Sequence, residues 1–190
     1  MRKRTRQVSV GGVPIGGDSP VKIQSMTTTK TSDTEGTAAQ IGRLEEAGCE
    51  IVRVAVADEA DARAIAAVKG KIRIPLVADI HFSPRLAVLA VENGADKIRI
   101  NPGNIGGERE IAYVADCVRA HHIPVRVGAN TGSIEKEFLE KYGRSAEALV
   151  GSALYNVGIL ERHGVEDIVI SVKASDVPLT TKAYALLSER

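Results

Sequence analysis

The sequence predicts an α/β fold of the TIM (β/α)8-barrel type, incomplete and preceded by a β-hairpin, and three observations carry that reading. Short runs rich in Val and Ile alternate about six times with stretches of helical periodicity along the 190 residues. The helical stretches in EEAGCEIVRV, VENGADKIRI and ERHGVEDIVI each end on a Gly, which tolerates the left-handed conformation of a helix C-terminus, with a strand just beyond it. The third observation is polar: a cation stands inside four of the apolar runs, as Arg53, Arg99, Arg126 and Lys173. An open sheet covered by helices on both sides wants both strand faces apolar, whereas a barrel carries polar side chains inside, toward its C-terminal mouth.

The elements follow in order. VSVGGVPIGGDSPV alternates apolar residues around Gly11-Gly12 and predicts a hairpin, in a unit spanning residues 1–20, that closes one end of the fold. Residues 21–190 form the barrel portion. VKIQSMT is a strand followed by the helix TAAQIGRLEEAG, EIVRVAV by DEADARAIAAVKG, and PLVADI by PRLAVLAVENG. DKIRINP then precedes REIAYVADCVRAHH, PVRVGAN precedes SAEALVGSALYNVGILERHG, and DIVISVKAS precedes LTTKAYALLSER. Parallel strands with right-handed crossovers are the expected arrangement. A closed barrel needs eight such units and about 250 residues, so the chain is expected to be part of a longer protein.

Composition narrows the function. A formal net charge of +1, 3% aromatic residues and no Trp offer neither a basic field nor stacking platforms for nucleic acid. No apolar run is long enough to span a bilayer, and the basic start with Arg2, Lys3, Arg4 and Arg6 has no apolar segment behind it, so it reads as a solvated tail. Cys49 and Cys117 are far apart, with neither a disulfide framework nor a metal-ligand spacing, and read as buried structural thiols of a reducing cytoplasm. His121, His122 and His163 fall at helix ends and read as surface residues, and TGSIEKEFLEKYGRS as a solvated helical turn within a long loop.

Alternate residues of a strand face opposite ways. Val77, Asp79 and His81 therefore share a face, as do Lys97, Arg99 and Asn101, then Arg126, Gly128 and Asn130, then Ser171, Lys173 and Ser175. Four embedded cations, Arg53, Arg99, Arg126 and Lys173, face Asp79 as the one mid-strand acid. An uncompensated buried charge costs several kcal/mol, so water, a segment outside the chain or a polyanionic ligand must satisfy the rest, and a bound anion is the reading the group favours. Arg suits bidentate phosphate recognition and Lys a point contact. The loop NPGNIGGE, with Gly103, Gly106 and Gly107, frees backbone amides near a helix start, where anions are favoured. His81 reads equally as a proton or hydrogen-bond donor to the ligand and as a satisfied structural His.

QSMT at Gln24–Thr27, VADIHF at Val77–Phe82, KIRINPGNIG at Lys97–Gly106 and SVKASD at Ser171–Asp176 resemble the 4-hydroxy-3-methylbut-2-enyl diphosphate synthases, along essentially the whole chain. The resemblance implies a TIM barrel that binds 2-C-methyl-D-erythritol 2,4-cyclodiphosphate at its C-terminal mouth. It also implies a later domain with a [4Fe–4S] cluster, a two-electron reductive dehydration, flavodoxin or ferredoxin as electron donor, and a bacterial cytoplasmic homodimer. It implies that Arg53, Arg99, Arg126 and Lys173 grip the diphosphate while Asp79, His81, Asn101 and Asn130 line the pocket. The family's cluster ligands and its proposed acid/base Glu lie in later segments, so no catalytic residue and no metal ligand is assigned here. Two other readings use the same residues: a redox-free barrel enzyme acting on another phosphorylated ligand, and a folding or dimerisation module without anion affinity.

Overall fold

The computed structural model describes residues 3–190, so Arg2 of the basic tail lies outside the described residues. Strand β1 (Val8–Val10) pairs antiparallel with β2 (Val13–Ile15) across Gly11 and Gly12, whose φ values of 53° and 90° are those of a tight hairpin turn that disfavours side chains. The βα units then run β3 (Gln24–Met26), α1 (Thr34–Glu46), β4 (Ile51–Val56), α2 (Glu59–Lys69), β5 (Leu76–Ile80), α3 (Pro84–Glu92) and β6 (Lys97–Ile100). A single helical turn, α4 (Pro102–Ile105), precedes α5 (Glu108–Ala120), β7 (Val125–Asn130), α6 (Lys136–Tyr142), α7 (Ala146–Arg162), β8 (Ile168–Lys173) and α8 (Val177–Ser188). The six barrel strands are parallel in the order β3-β4-β5-β6-β7-β8, a half-barrel with β3 and β8 at its edges.

Parallel register turns the alternation of each strand into two continuous faces. Val52, Val54 and Val56 on β4, Leu76, Ala78 and Ile80 on β5, Ile98 and Ile100 on β6, and Val125 and Val127 on β7 point outward into one core. Ile41, Ile65, Ala87, Ile111, Val114 and Leu160 meet them from the surrounding helices, all at most 1% exposed. Burying such a side chain is worth about 1.5–3 kcal/mol, so a one-residue slip of any strand is disfavoured and the opposite face is held inward. On that inner face the hairpin supplies a floor: Val10 packs with Ile51 and Val77 at the N-terminal ends of β4 and β5.

Helix endings explain the Gly punctuation. Gly48, Gly94 and Gly164 adopt φ values of 92°, 92° and 75°. In each case the amide of the following residue reaches back to close a Schellman motif: Cys49 to the Leu44 carbonyl (2.9 Å), Ala95 to Ala90 (3.1 Å) and Val165 to Leu160 (3.0 Å). The end of α5 uses the same device without Gly. His122 has φ 53°, and the Ile123 amide donates to Val118 O at 3.1 Å.

Two expectations are modified. The basic tail is exposed yet tethered: Arg4 pairs with Asp18 at 3.0 Å, Arg6 with Glu166 at 2.8 Å, and Lys3 donates to the Ser188 carbonyl. His121 and His122 are exposed, whereas His163, the C-cap of α7, is half-buried; Cys117 is half-buried as well, and Cys49 is buried.

Because His122 holds a left-handed backbone that costs an L-residue about 1 kcal/mol, His122→Gly should raise stability in urea denaturation by about 0.5–1 kcal/mol, after the entropic cost of Gly. An unchanged or lower midpoint would show that the His122 side chain contributes more than its backbone loses.

Candidate anion-binding site

Asp79 is the hub of the inner face. It is 3% exposed, and its Oδ1 accepts from Arg99 Nη1 at 3.0 Å while its Oδ2 lies 3.5 Å from both Arg53 Nε and His81 Nε2. The register makes this meeting possible, since Asp79 on β5 stands opposite Arg99 on β6, and Arg99 opposite Arg126 on β7. Arg99, only 9% exposed, sends its second arm to the Gly128 carbonyl at 3.2 Å. Gly128 is required there: a Cβ would lie 2.6 Å from Arg99 Nε. Arg126 has no carboxylate partner among the described residues, and its Nε donates to Ser171 Oγ at 2.8 Å. Arg53 also directs its Nε toward Met26 Sδ at 3.3 Å.

The remaining candidates rim the C-terminal mouth. Asn101 is buried and its Oδ1 accepts from Ser133 Oγ at 2.9 Å. Asn130 is half-buried and stands in register with Lys173, which is exposed on the edge strand β8. His81 is about half exposed at the lip. Asp176, just past β8, accepts from the Leu179 amide at 2.6 Å and caps α8.

The count of embedded cations must be raised. Lys97 shares the inner face, is 1% exposed, and is the largest of the fully buried side chains. Parity with Arg99 puts it on that face, but at the first position of its strand it lacks the apolar flanks that mark the other four cations. Burial first, then the nearby Arg126 and Arg53 charges, pulls its ammonium down to about 8. Arg126 is likewise pulled below its ordinary value, by burial and then by Arg53 and Arg99. Asp79 is thus the one acid on this face among the described residues, surrounded by like charges that oppose one another. Ser171, Ser133, Met26 and the Gly128 carbonyl also belong to the site. As uncharged groups they give no sequence signal beyond their parity or loop position.

The glycine-rich loop is tied to its own helix. The Gly107 amide donates to Glu110 Oε2 at 2.9 Å, and a Cβ on Gly106 would lie 2.7 Å from Glu110 Cγ. The N-cap amide of α5 is thus taken by a carboxylate of its own first turn. A cleft of about 490 Å³ lies at the opposite end, between Gly11-Gly12 and the ends of α3 and α5, but its charged lining is Asp96 and Asp167 with His121 and His122. That lining does not suit an anion.

Among the described residues no group of three or more His, Cys, Asp or Glu side chains could hold a metal ion. Cys49 Sγ donates to the Ile51 carbonyl at 3.0 Å, and Cys117 is a separate thiol on α5 whose titration is pushed up by burial. These residues do not fit an iron–sulfur cluster.

Comparison with known proteins places the geometry. The family model described as GcpE TIM-barrel domain matches residues 5–190. Proteins named 4-hydroxy-3-methylbut-2-en-1-yl diphosphate synthase (flavodoxin) are similar to the chain. The protein from Caldanaerobacter subterraneus is 56% identical, covering 100% of this chain and 54% of the relative. That from Desulfotalea psychrophila is 54% identical, covering 99% and 53%. The chain therefore spans about half the length of the curated relatives it matches. Among solved structures, the dihydropteroate synthase of Yersinia pestis superposes with a TM-score of 0.67 at 12% identity, covering 96% of this chain and 70% of that one. The type I 3-dehydroquinate dehydratase of Clostridium difficile gives 0.67 at 16% identity, covering 94% and 74%. At such identities the likeness is one of fold alone.

Lys97 yields a stability test. Its depression from 10.5 to about 8 means that the unfolded chain holds the extra proton between those values, so stability rises with pH through that window. The penalty, about 3 kcal/mol, is fully present below pH 8 and relieved toward pH 10.5. Lys97→Met should raise denaturation stability at pH 7 by about 2–3 kcal/mol and abolish the alkaline rise. Equal slopes for both proteins between pH 8 and 10 would contradict the buried charge.

Proposed function

The chain belongs to the GcpE TIM-barrel domain family, and from that premise we propose that it is the substrate-binding barrel of an oxidoreductase of isoprenoid biosynthesis. The substrate is 2-C-methyl-D-erythritol 2,4-cyclodiphosphate. The product is (E)-4-hydroxy-3-methylbut-2-enyl diphosphate, formed by two-electron reductive dehydration. The observation that carries the assignment is the inner face on which Arg53, Lys97, Arg99 and Arg126 are balanced by Asp79 alone among the described residues. A cyclic diphosphate is a compact dianion, and it supplies the charge this face lacks.

The roles follow from the contacts. Asp79 keeps Arg99 and Arg53 pointing into the interior, so their remaining N–H groups are pre-organised for phosphate oxygens. Arg126, steadied by Ser171, and Lys173 at the rim approach the diphosphate from β7 and β8. Asn101, held by Ser133, and Asn130 donate to polar oxygens of the ligand, and His81 at the lip donates a hydrogen bond to the departing oxygen. Leaving-group charge on the diphosphate would thus develop against fixed cations, the electrostatic contribution that accelerates cleavage of the ring C–O bond.

The electrons come from elsewhere. The relatives' names specify flavodoxin, and we assign it as the donor, with a [4Fe–4S] cluster carried by a segment of the longer protein outside this chain. The hairpin unit, residues 1–20, and the barrel portion, residues 21–190, act as one substrate-holding body, which works in a homodimer in the bacterial cytoplasm. No helix among the described residues is long and apolar enough to cross a membrane, and the relatives are bacterial proteins.

Arg126 gives the cleanest test, because removing it leaves no buried carboxylate uncompensated. Isothermal titration of the cyclodiphosphate into wild-type chain and Arg126→Met should show binding weakened about 10–100-fold, the value of one charge-assisted contact. Equal affinities would refute the site. Absence of binding to the wild type would refute the function.

A further inference from the structure

Lys97 occupies a layer of its own. It pairs with Val77, which pairs with Arg53, so it stands level with Arg53 and one inward step below Arg99, to which Arg126 is the register neighbour. Beneath this layer the floor is apolar: Val10, Ile51 and Val77, with Val13 and Ile15 of the hairpin packed against them. The charged groups that face this interior are Arg53 from β4, Asp79 and His81 from β5, Arg99 from its own strand, Arg126 from β7 and Lys173 from β8. The inward residues of β3, Gln24 and Met26, are uncharged. Asp79 is committed to Arg99 and Arg53, and no carboxylate lies within ion-pair distance of Lys97 among the described residues. A 99%-buried ammonium with cations above it and hydrocarbon below calls for compensating charge, and an anion held in the mouth would supply it.

We propose that Lys97 is a positioning residue of the diphosphate site, the lowest of its cations, and that occupation of the site is accompanied by uptake of a proton at Lys97 Nζ. This rests on the diphosphate reading above. In the free chain Arg53 and Arg126 oppose the ammonium. A bound dianion screens both, and the lone pair of Nζ takes a proton from solvent to form the third N–H, with no electron exchanged. By linkage the proton favours the ligand as much as the ligand favours the proton. Affinity is then highest below pH 8, where Lys97 is already charged in the free chain, and falls as pH rises through 8.

The cyclodiphosphate suits the test because each of its phosphorus atoms carries a single, strongly acidic hydroxyl, so the ligand itself does not titrate above neutrality. Isothermal titration at pH 7 and pH 9, each in two buffers of different ionisation enthalpy, counts the protons taken up. For the wild-type chain the expected result is almost none at pH 7 and close to one at pH 9, with affinity about tenfold weaker at the higher pH. Lys97→Met should bind about 100-fold more weakly than wild type at pH 7, with the same affinity at pH 9 as at pH 7 and no added proton uptake there. Lys97→Arg should keep its affinity at both pH values without added uptake. Wild-type binding with no extra proton at pH 9, or the same extra proton in Lys97→Met, overturns the inference and leaves the diphosphate reading standing. No wild-type binding at pH 7 overturns both. If the variants do not fold, the wild-type difference between the two pH values decides the matter.

Discussion

One carboxylate organises the interior. Asp79, 3% exposed, is shared by Arg99 at 3.0 Å and by Arg53 at 3.5 Å, with His81 at the same distance on its outer side. The buried Arg99 and half-buried Arg53 guanidinium groups both depend on that ionised carboxylate, aimed between them. Its removal would leave both without their acidic partner. Neutralising every cation would instead leave nothing for a ligand to satisfy. Among the described residues the pairing is incomplete: Asp79 holds the arginines in position, and Lys97 and Arg126 keep the face electropositive.

The fold provides this arrangement through parity and register. Six parallel strands in sequential order set Asp79, Arg99 and Arg126 side by side. The outward apolar residues, locked under the helices, prevent any strand from slipping by one residue and turning its cation outward. Gly128 contributes by absence, since only a residue without Cβ leaves room for the Arg99 guanidinium. At the other end the hairpin places Val10 on Ile51 and Val77, so the charged cavity has a dry floor and opens toward the C-terminal ends of the strands. Active sites of such barrels lie at those ends.

Much of this was legible in the chain. The strands, their parity and the Gly-terminated helices are local patterns of period, and Gly48, Gly94 and Gly164 all adopt the expected left-handed backbone. The motif resemblance agrees with the family match over residues 5–190. What escaped depends on three-dimensional neighbours. Lys97 was legible as inward-facing by parity, but it begins its strand without the apolar flanks of Arg53 and Arg99, and its complete burial is visible only in the fold. Ser133 reaches Asn101 across 32 positions. In the glycine-rich loop, only the fold shows the Glu110 carboxylate of the following helix turned back onto the Gly107 amide. His122 in the role of a C-terminal Gly is a further case in which the backbone overrides composition.

The central claim is that the cations of the inner face exist to hold a dianion. A crystal structure of the chain with 2-C-methyl-D-erythritol 2,4-cyclodiphosphate tests it most directly. The account predicts phosphate oxygens within hydrogen-bonding distance of Arg126 and of at least one of Arg53 and Arg99, with Asp79 still bridging the latter two. Ligand bound in the acidic cleft between the hairpin turn and the ends of α3 and α5, or a mouth that stays empty at saturating ligand, would contradict it.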